Sequence, residues 1–231
     1  SLKMNKNIQI SHMENTTARE EEINTQYIDY EDVTMFNPQS GFNSFLLPPF
    51  IFLLIQQTMI IGIGVLAGDT LDRKRFHRMQ PILRHKRGTF RIIFGKVLCY
   101  ATIYLIMSFY LLFFVPKIFN LPQIGAISDV ITLLFTYIVA CALFGITISV
   151  FIKEKEAAFP ILVFTSLLFL FISGVSWPYS AIPSFWKIVS YIIPSSFGIQ
   201  GFVKINSMGA TIPEIAFEYT GLLVQIVVYL I

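Results

Sequence analysis

The fold of this chain is decided by the stretch FLLPPFIFLLIQQTMIIGIGVLA, residues 45–67, in which no residue is charged. About 20 apolar residues in an α-helix, each rising ~1.5 Å, are enough to cross a hydrocarbon layer ~30 Å thick. The stretch therefore predicts a membrane-spanning helix. Further apolar runs have the same character, and with the first they predict spans at about 45–67, 92–115, 130–152, 157–177 and 215–231.

The composition excludes an ordinary water-soluble enzyme. Of the 231 residues, 55% are hydrophobic and only 13% are charged. A soluble domain has about 25% charged residues, which cover the surface that faces water. A chain with about half that share is typical of a protein whose solvent is largely the bilayer.

Charge separates the two ends of the predicted spans. Residues 1–40 carry three basic and seven acidic side chains, whereas residues 68–96 carry nine basic and two acidic ones. Cytoplasmic loops of membrane proteins have an excess of Lys and Arg. We therefore expect the connectors 68–91 and 153–156 in the cytoplasm. Residues 1–40 are expected outside, as an extracytoplasmic polar segment at the end of a larger outer domain, and this orientation implies an earlier span before Ser1.

Residues 178–213 are mostly apolar but are interrupted by Pro178, Pro183, Pro194 and several glycines. Backbone that is not helical cannot face lipid with unpaired N–H and C=O groups. We therefore predict short re-entrant helices here, in a hairpin that lies before the last span. The sequence Thr-Ile-Pro-Glu at 211–214 fits a capping box with proline in the first turn of that span.

Small and polar residues within the spans favour helix packing. Gln56, Gln57 and Gly145 are examples, and such residues allow close helix approach and interhelical hydrogen bonds. This interpretation is preferred over a polar substrate pathway.

Several polar residues are interpreted as helix-start residues, because carboxylates and hydroxyls bind the unpaired N–H groups of a first turn. Ser128 and Asp129 are predicted to cap the third span, and Glu214 and Glu218 lie at the start of the last one. Glu218 is the one carboxylate that could lie at membrane depth.

The sequence predicts no catalytic, cofactor-binding or metal-binding residue. His77 and His85 are eight residues apart, whereas zinc ligands on one helix face lie four apart. The segment GTFRIIFGKV at 88–97 has the wrong glycine spacing for a Walker A loop, and Val97 stands where Ser or Thr must hold magnesium. Active transport by this chain would therefore need a separate ATPase that binds ATP and Mg.

Residues 68–91 form a basic connector with a helical apolar pattern. Phe76, Met79, Ile82 and Leu83 recur at three- and four-residue steps among arginines and lysines. This spacing predicts a short amphipathic helix on the cytoplasmic face. Two roles stay open at this point: an anchor to anionic lipid, and a docking helix for a cytoplasmic partner.

The proline-rich part of the chain resembles the permease subunits of type-2 ABC exporters. The segments that carry the resemblance are SGVSWPYSAIP at 173–183, SYIIPSS at 190–196 and KINSMGA at 204–210. Their prolines, aromatics and glycines follow the order typical of that family. FNP at 36–38 and RGT at 87–89 are similar as well. The resemblance covers residues 36–231 and implies a type-2 ABC transmembrane domain over residues 41–231.

The resemblance implies an all-α, polytopic membrane fold with five spans in this sequence, six in the full chain, and a re-entrant hairpin before the last span. It also implies that the connector 68–91 couples to the ATPase and that residues 177–209 close the outer end of the pathway. The implied coupling residues are Arg73, Arg75, Phe76, Met79, Arg84 and Arg87. The implied outer-gate residues are Trp177, Pro178, Pro183, Trp186, Pro194 and Gly209.

One segment departs from the family pattern. Many relatives have acidic residues before the Gly-Thr of the connector, whereas residues 84–87 here are the basic sequence RHKR. The resemblance therefore predicts an acidic docking surface on the partner ATPase.

The sequence thus predicts a permease subunit of an ABC exporter that moves an amphipathic drug, lipid or glycan-type substrate outward. The chain itself is not expected to be an enzyme or to hold a cofactor, since ATP and Mg would be bound by the partner. The expected partners are an ABC ATPase subunit, a second permease subunit in a homo- or heterodimer, a periplasmic adaptor and membrane lipid, without nucleic acid. The expected location is the bacterial inner (plasma) membrane. Two alternatives from other classes are a membrane-embedded lipid-modifying enzyme and a non-transporting membrane scaffold.

Overall fold

A computed structural model describes residues 42–72, 88–118, 123–152, 154–174 and 182–230. All regular structure in these ranges is helical, which confirms the all-α prediction. The helices are α1 (Phe42–Asp72), α2 (Gly88–Ile118), α3 (Ile127–Ser149), α4 (Ala158–Ile172), α5 (Ser184–Ser190), α6 (Pro194–Met208) and α7 (Ala216–Leu230). α2 contains a π-helical segment at Tyr110–Phe114, and a 3₁₀ turn at Lys155–Ala157 precedes α4.

Four of the described helices are long and apolar enough to cross a membrane, namely those within Leu46–Asp72, Gly88–Ile118, Ile127–Ser149 and Lys155–Ile172. α5 and α6 form a bent pair that would make a fifth span if the two are counted together. α7 is a shorter apolar helix of 15 residues. The chain is therefore a multi-pass membrane protein, and the prediction of a broken helix pair before the last helix is confirmed.

The helix ends differ from the predicted span ends by one to five residues, and the two largest differences are at the ends of α1 and α4. α1 continues to Asp72, five residues beyond the uncharged stretch. α4 ends at Ile172 rather than at residue 177, because the chain turns at Gly174, which has a left-handed φ of 81°. A residue with a side chain rarely adopts this conformation, so glycine is suited to the position.

The start of α3 corrects one prediction. Its N-cap is Ala126, which makes no side-chain hydrogen bond, so the prediction that Ser128 and Asp129 cap this helix is wrong. The helix begins earlier because the carbonyl of Ala126 already accepts the N–H groups of Asp129 and Val130. Asp129 lies within the first turn instead, where its charge still interacts favourably with the positive end of the helix dipole.

α3 is the central helix of the described part of the chain. It packs against α1, α2, α6 and α7, and its residues Leu133, Tyr137, Ile138 and Cys141 are fully buried. In its apolar 18-residue segment 61% of the residues are buried, against 17% in the corresponding segment of α2 and 18% in that of α4. Because α4, and α2 between Lys96 and Lys117, are apolar on all sides, their exposed surfaces suit contact with lipid.

Glycines permit close contacts along the length of α1. A Cβ atom placed on Gly145 of α3 would lie 2.8 Å from Cδ1 of Ile63, which is too close for an unshifted side chain. At the end of α1, a Cβ atom on Gly68 would lie 2.5 Å from the backbone nitrogen of Lys155. α1 therefore packs tightly on α3, and its last turns lie directly on the 3₁₀ turn before α4.

Candidate functional site

α5 and α6 form a broken helix pair with a bend of 91°. Pro183 is the N-cap of α5, and Pro194 is the first residue of α6. Proline lacks an N–H group and its ring clashes with a preceding helical turn, so a helix can begin at proline but not continue through it. The break between the two helices, Tyr191–Ile193, is called the α5–α6 turn below.

Helix α7 binds two carbonyl groups of the α5–α6 turn. Nε2 of Gln225 donates a hydrogen bond to the carbonyl of Tyr191 at 2.7 Å. The hydroxyl of Tyr229, one turn further along α7, donates to the carbonyl of Ile192. Backbone groups outside a regular helix need hydrogen-bond partners of their own, and lipid offers none. α7 therefore holds the break in a defined position.

A side chain of α1 accepts a hydrogen bond from a backbone N–H group in the first turn of α6. Oε1 of the fully buried Gln56 accepts the backbone N–H of Ser195 at 2.7 Å. First-turn N–H groups have no partner within their own helix, and the N-cap residue Ile193 makes no side-chain bond to them. Sγ of Cys141 lies 3.7 Å from the same oxygen of Gln56. Gln56 thus caps α6 from a neighbouring helix.

A cluster of aromatic rings packs α6 against α1 and α3. The ring of Phe52 lies 4.8 Å from that of Tyr137 and 4.5 Å from that of Phe202, measured between centroids. The hydroxyl of Tyr137 donates to the carbonyl of Phe52 at 2.7 Å. α6 crosses the Tyr137 ring at Gly198, where a Cβ atom would lie 2.5 Å from the ring. The ring of Tyr137 therefore sets the distance between α6 and the central helix α3.

A partly buried ion pair joins α6 to α7. Nζ of Lys204 lies 2.6 Å from Oε1 of Glu218. The side chain of Glu218 is only 3% exposed, whereas that of Lys204 is 43% exposed. The interpretation of Glu218 as a residue at the start of the last helix agrees with its first-turn position in α7. Its ion pair with Lys204 is an additional role that connects the two helices.

The end of α6 is also tightly fixed. Gly209 has a left-handed φ of 67°, and its N–H donates to the carbonyl of Ile205 at 3.0 Å. The N–H of Ala210 donates to the carbonyl of Lys204 at 3.2 Å, which completes a glycine C-cap. The segment before α3 contacts the same end, since Ile124 N–H donates to the carbonyl of Asn206 at 3.2 Å.

Half of the predicted capping box before α7 is present. Oε2 of Glu214 accepts the backbone N–H of Thr211 at 2.7 Å and its hydroxyl at 2.9 Å. The hydroxyl of Thr211 thus donates to Glu214 instead of capping a backbone N–H group. These two bonds lower the pKa of the exposed Glu214 carboxyl below its usual value, because they favour the charged form.

Four of the six predicted outer-gate residues lie among the described residues. Pro183 and Pro194 start the two helices of the bent pair, Gly209 ends α6, and the ring of the partly exposed Trp186 lies edge-on to Phe185 at 5.4 Å. The remaining gate residues, Trp177 and Pro178, lie outside the described residues. So do all six predicted coupling residues, Arg73, Arg75, Phe76, Met79, Arg84 and Arg87. Both sets stay predictions.

Sequence reasoning missed the side chains that anchor the break. Gln225 and Tyr229 lie in the apolar run that predicts the last span, and the run itself assigns neither of them a separate role. A lone Gln in such a run indicates that it has a polar partner nearby, because an unpaired amide is costly in lipid. Gln56 was predicted to make interhelical hydrogen bonds, and it does so with Ser195. Among the described residues no group of three His, Cys, Asp or Glu side chains has the geometry to hold a metal ion.

Comparison with known proteins agrees with this architecture. A family model described as "ABC-2 family transporter protein" matches residues 2–231. No curated protein and no solved structure matches the chain significantly.

Proposed function

Because the chain belongs to the ABC-2 transporter family and is a membrane subunit of an ABC transporter, we propose that it exports an amphipathic substrate, driven by a separate ATPase subunit. The broken helix pair would be the outer gate. The observation that carries this proposal is that the break has dedicated partners. Gln225 and Tyr229 bind carbonyl groups of the α5–α6 turn, and Gln56 binds the N–H of Ser195 in the first turn of α6. A break between two apolar helices whose backbone has dedicated partners is typical of pathways in transporters.

α1 is suited to transmit movement from the ATPase to this gate. Its last residue, Asp72, directly precedes the predicted coupling segment that contains Arg73 to Arg87. Gln56 lies 16 positions before Asp72 on the same helix, which is about 24 Å along its axis. A displacement of the connector would therefore move the residue that caps α6. In this mechanism ATP-driven closure of the ATPase dimer pushes the connector and α1 carries the movement to the turn.

The 3₁₀ turn before α4 would share this movement. Its first residue, Lys155, has its backbone nitrogen 3.5 Å from Oδ2 of Asp72 and packs on Gly68. Both predicted cytoplasmic connectors thus meet at the end of α1. This contact supports a single ATPase-facing surface made by the two connectors.

The apolar surfaces of the described helices support the proposal of an amphipathic substrate. Drugs, lipids and glycan-type carriers all have an apolar part that the exposed surfaces of α2 and α4 could contact. We place the protein in a bacterial inner membrane, in a complex with an ABC ATPase subunit and a second permease subunit, with a periplasmic adaptor as a further partner. ATP and Mg would be held by the ATPase.

The coupling proposal is tested by charge reversal in the connector. The Arg84→Glu/Arg87→Glu variant is expected to insert normally but to abolish stimulation of the co-purified ATPase, because an acidic docking surface would repel the new carboxylates. The Arg84→Lys/Arg87→Lys variant is the matched control and should retain most of the stimulation. Unchanged stimulation in the charge-reversed variant would contradict docking at this connector.

A further inference from the structure

A cavity lies between α1 and α2, near the ends that join the basic connector. Its volume is about 520 Å³, and its wall includes Leu66 on α1 and Arg91, Lys96, Cys99, Tyr100 and Ile103 on α2. From Arg91 to Ile103 the wall extends about 18 Å along the axis of α2. The cavity thus reaches from the start of the helix well into its apolar part.

The cavity is open because α1 and α2 separate there. The two helices approach each other at Gly62, where a Cβ atom would lie 3.7 Å from the hydroxyl of Tyr104. Nearer the connector, a Cβ atom on Gly95 would meet nothing within 4 Å. Leu66 and Ile103 are more than half exposed. The cavity therefore opens sideways toward the bilayer.

The charge in this cavity is one-sided. Arg91 and Lys96 both line it, and no carboxylate among the described residues forms a salt bridge with either. The rest of its wall is mainly apolar, with the ring of Tyr100 partly buried and the thiol of Cys99 exposed. Two cations at the membrane boundary above an apolar wall match a molecule with an anionic head and an apolar tail.

We propose that this cavity binds one anionic phospholipid of the leaflet that faces the basic connector. Its phosphate pairs with Arg91 and Lys96, and one acyl chain lies along Tyr100 and Ile103. A water-soluble anion would leave the apolar wall uncovered, and a zwitterionic lipid would leave two cations without net counter-charge. The proposal concerns a resident lipid and does not rest on export, so it can fail while the proposed function stands.

Photolabelling in vesicles tests the site. The full-length protein is reconstituted in phosphatidylcholine that contains a small fraction of phosphatidylglycerol with a diazirine in one acyl chain, and labelled peptides are mapped by mass spectrometry. Labelling is expected to concentrate on residues 95–103 and to be competed by unlabelled phosphatidylglycerol but not by added phosphatidylcholine. Equal labelling of this segment by a diazirine phosphatidylcholine would overturn the proposal and indicate bulk lipid.

Charge variants give the second arm of the test. Arg91→Gln and Lys96→Gln are each expected to lower labelling of the segment on the order of fivefold, since a cation near an anionic lipid surface contributes about that factor. Lys96→Arg should keep the labelling. Lys117→Gln, at the opposite end of α2, is the matched control and should change nothing.

Labelling of a second, lipid-exposed segment serves as an internal reference for correct insertion of each variant. Phe164 on α4 is 77% exposed and should be labelled by bulk lipid in every correctly inserted variant. If the segment 95–103 is labelled equally in the native protein and in the Arg91→Gln/Lys96→Gln variant, relative to the Phe164 peptide, the site is not selective for anionic lipid and the proposal is wrong.

Discussion

Helices α2 and α6 differ in length, hydrophobicity and burial, and the more apolar of the two is the more exposed. α2 is a long apolar helix, yet only Gly88, Val97, Ala101 and Ser108 are buried in its first 22 residues. α6 has 15 residues, contains Ser, Gln, Lys and Asn, and is buried over most of its length. In a bilayer the apolar side chains can face the solvent, so small and polar residues are the ones that pack inside.

The polar groups of α6 and α2 also differ in whether they have partners within the protein. On α6, three polar groups have partners in other elements. The N–H of Ser195 binds α1, the side chain of Lys204 binds α7, and the carbonyl of Asn206 binds the segment before α3. On α2 the cations Arg91 and Lys96 face an open cavity. The contrast predicts that substitutions around α6 alter stability strongly, whereas substitutions on α2 mainly alter contacts with surrounding molecules.

The largest effect is expected from Lys204→Met. This change leaves the carboxylate of Glu218 buried and without its ion-pair partner. Breaking a fully buried pair costs about 3–5 kcal/mol, and because Lys204 is 43% exposed we expect about 2–3 kcal/mol of lost stability. Thermal unfolding of the purified protein in detergent measures it.

The double variant Lys204→Met/Glu218→Leu is the control for this prediction. It removes both charges and should recover most of the lost stability, because no unpaired buried carboxylate remains. If the single and double variants unfold at the same temperature, the ion pair does not join α6 to α7 in the way described here.

The next largest effect is expected from Gly198→Ala. The added Cβ atom would lie 2.5 Å from the ring of Tyr137, which is itself held against Phe52. Overpacking of this kind costs about 1–3 kcal/mol. Gly95→Ala on α2 is the matched control, since its Cβ atom meets nothing within 4 Å. Helix propensity should make that variant about 0.5–1 kcal/mol more stable. Destabilisation of equal size at both positions would remove the distinction between the two helices.

A smaller effect is expected at the cap of α6. Gln56→Leu removes the acceptor of the Ser195 N–H and should lower stability by about 1–2 kcal/mol, since a buried donor is left unpaired. Its neighbour Gln57 is buried as well, and neither of its side-chain polar atoms has a hydrogen-bond partner among the described residues. Gln57→Leu should therefore be neutral or stabilising. Equal losses in the two variants, measured by denaturation in mixed micelles, would show that Gln56 does not act as a cap.

The smallest effect is expected at Glu214, which is exposed. Because its pKa is lowered in the folded protein, its contribution to stability is present above the ordinary carboxyl pKa and is lost as pH falls through the lowered value. The difference in melting temperature between the native protein and Glu214→Gln should therefore be small at pH 7 and vanish in acid. Glu154→Gln serves as an exposed control. A difference that grows in acid would contradict the sign of the shift.

Much of the fold was predictable from hydropathy, because a membrane-spanning helix is specified by its own sequence. The apolar runs and the prolines at 183 and 194 were sufficient to predict the all-α fold and the broken pair before the last helix. The end of α4 was missed because it depends on the backbone conformation of Gly174. The start of α3 was missed because Ser128 and Asp129 resemble a cap that the backbone does not use.

The side chains that bind the α5–α6 turn and the start of α6 were less predictable for a different reason. Gln225 and Tyr191 are 34 positions apart, and Gln56 and Ser195 are 139 apart. Such pairs depend on how helices pack, which no local pattern specifies. The coupling residues Arg73 to Arg87 stay predictions that rest on sequence and family membership.

ATP-dependent movement of substrate tests the central claim most directly. The chain and its ATPase subunit are reconstituted in inside-out vesicles with a panel of three labelled amphiphiles: a fluorescent drug, a phospholipid and a lipid-linked glycan. The export account predicts that at least one member accumulates inside the vesicles only when ATP and this chain are both present, and that the Arg84→Glu/Arg87→Glu variant abolishes the accumulation. A complex that assembles and hydrolyses ATP but moves no member of the panel would contradict it.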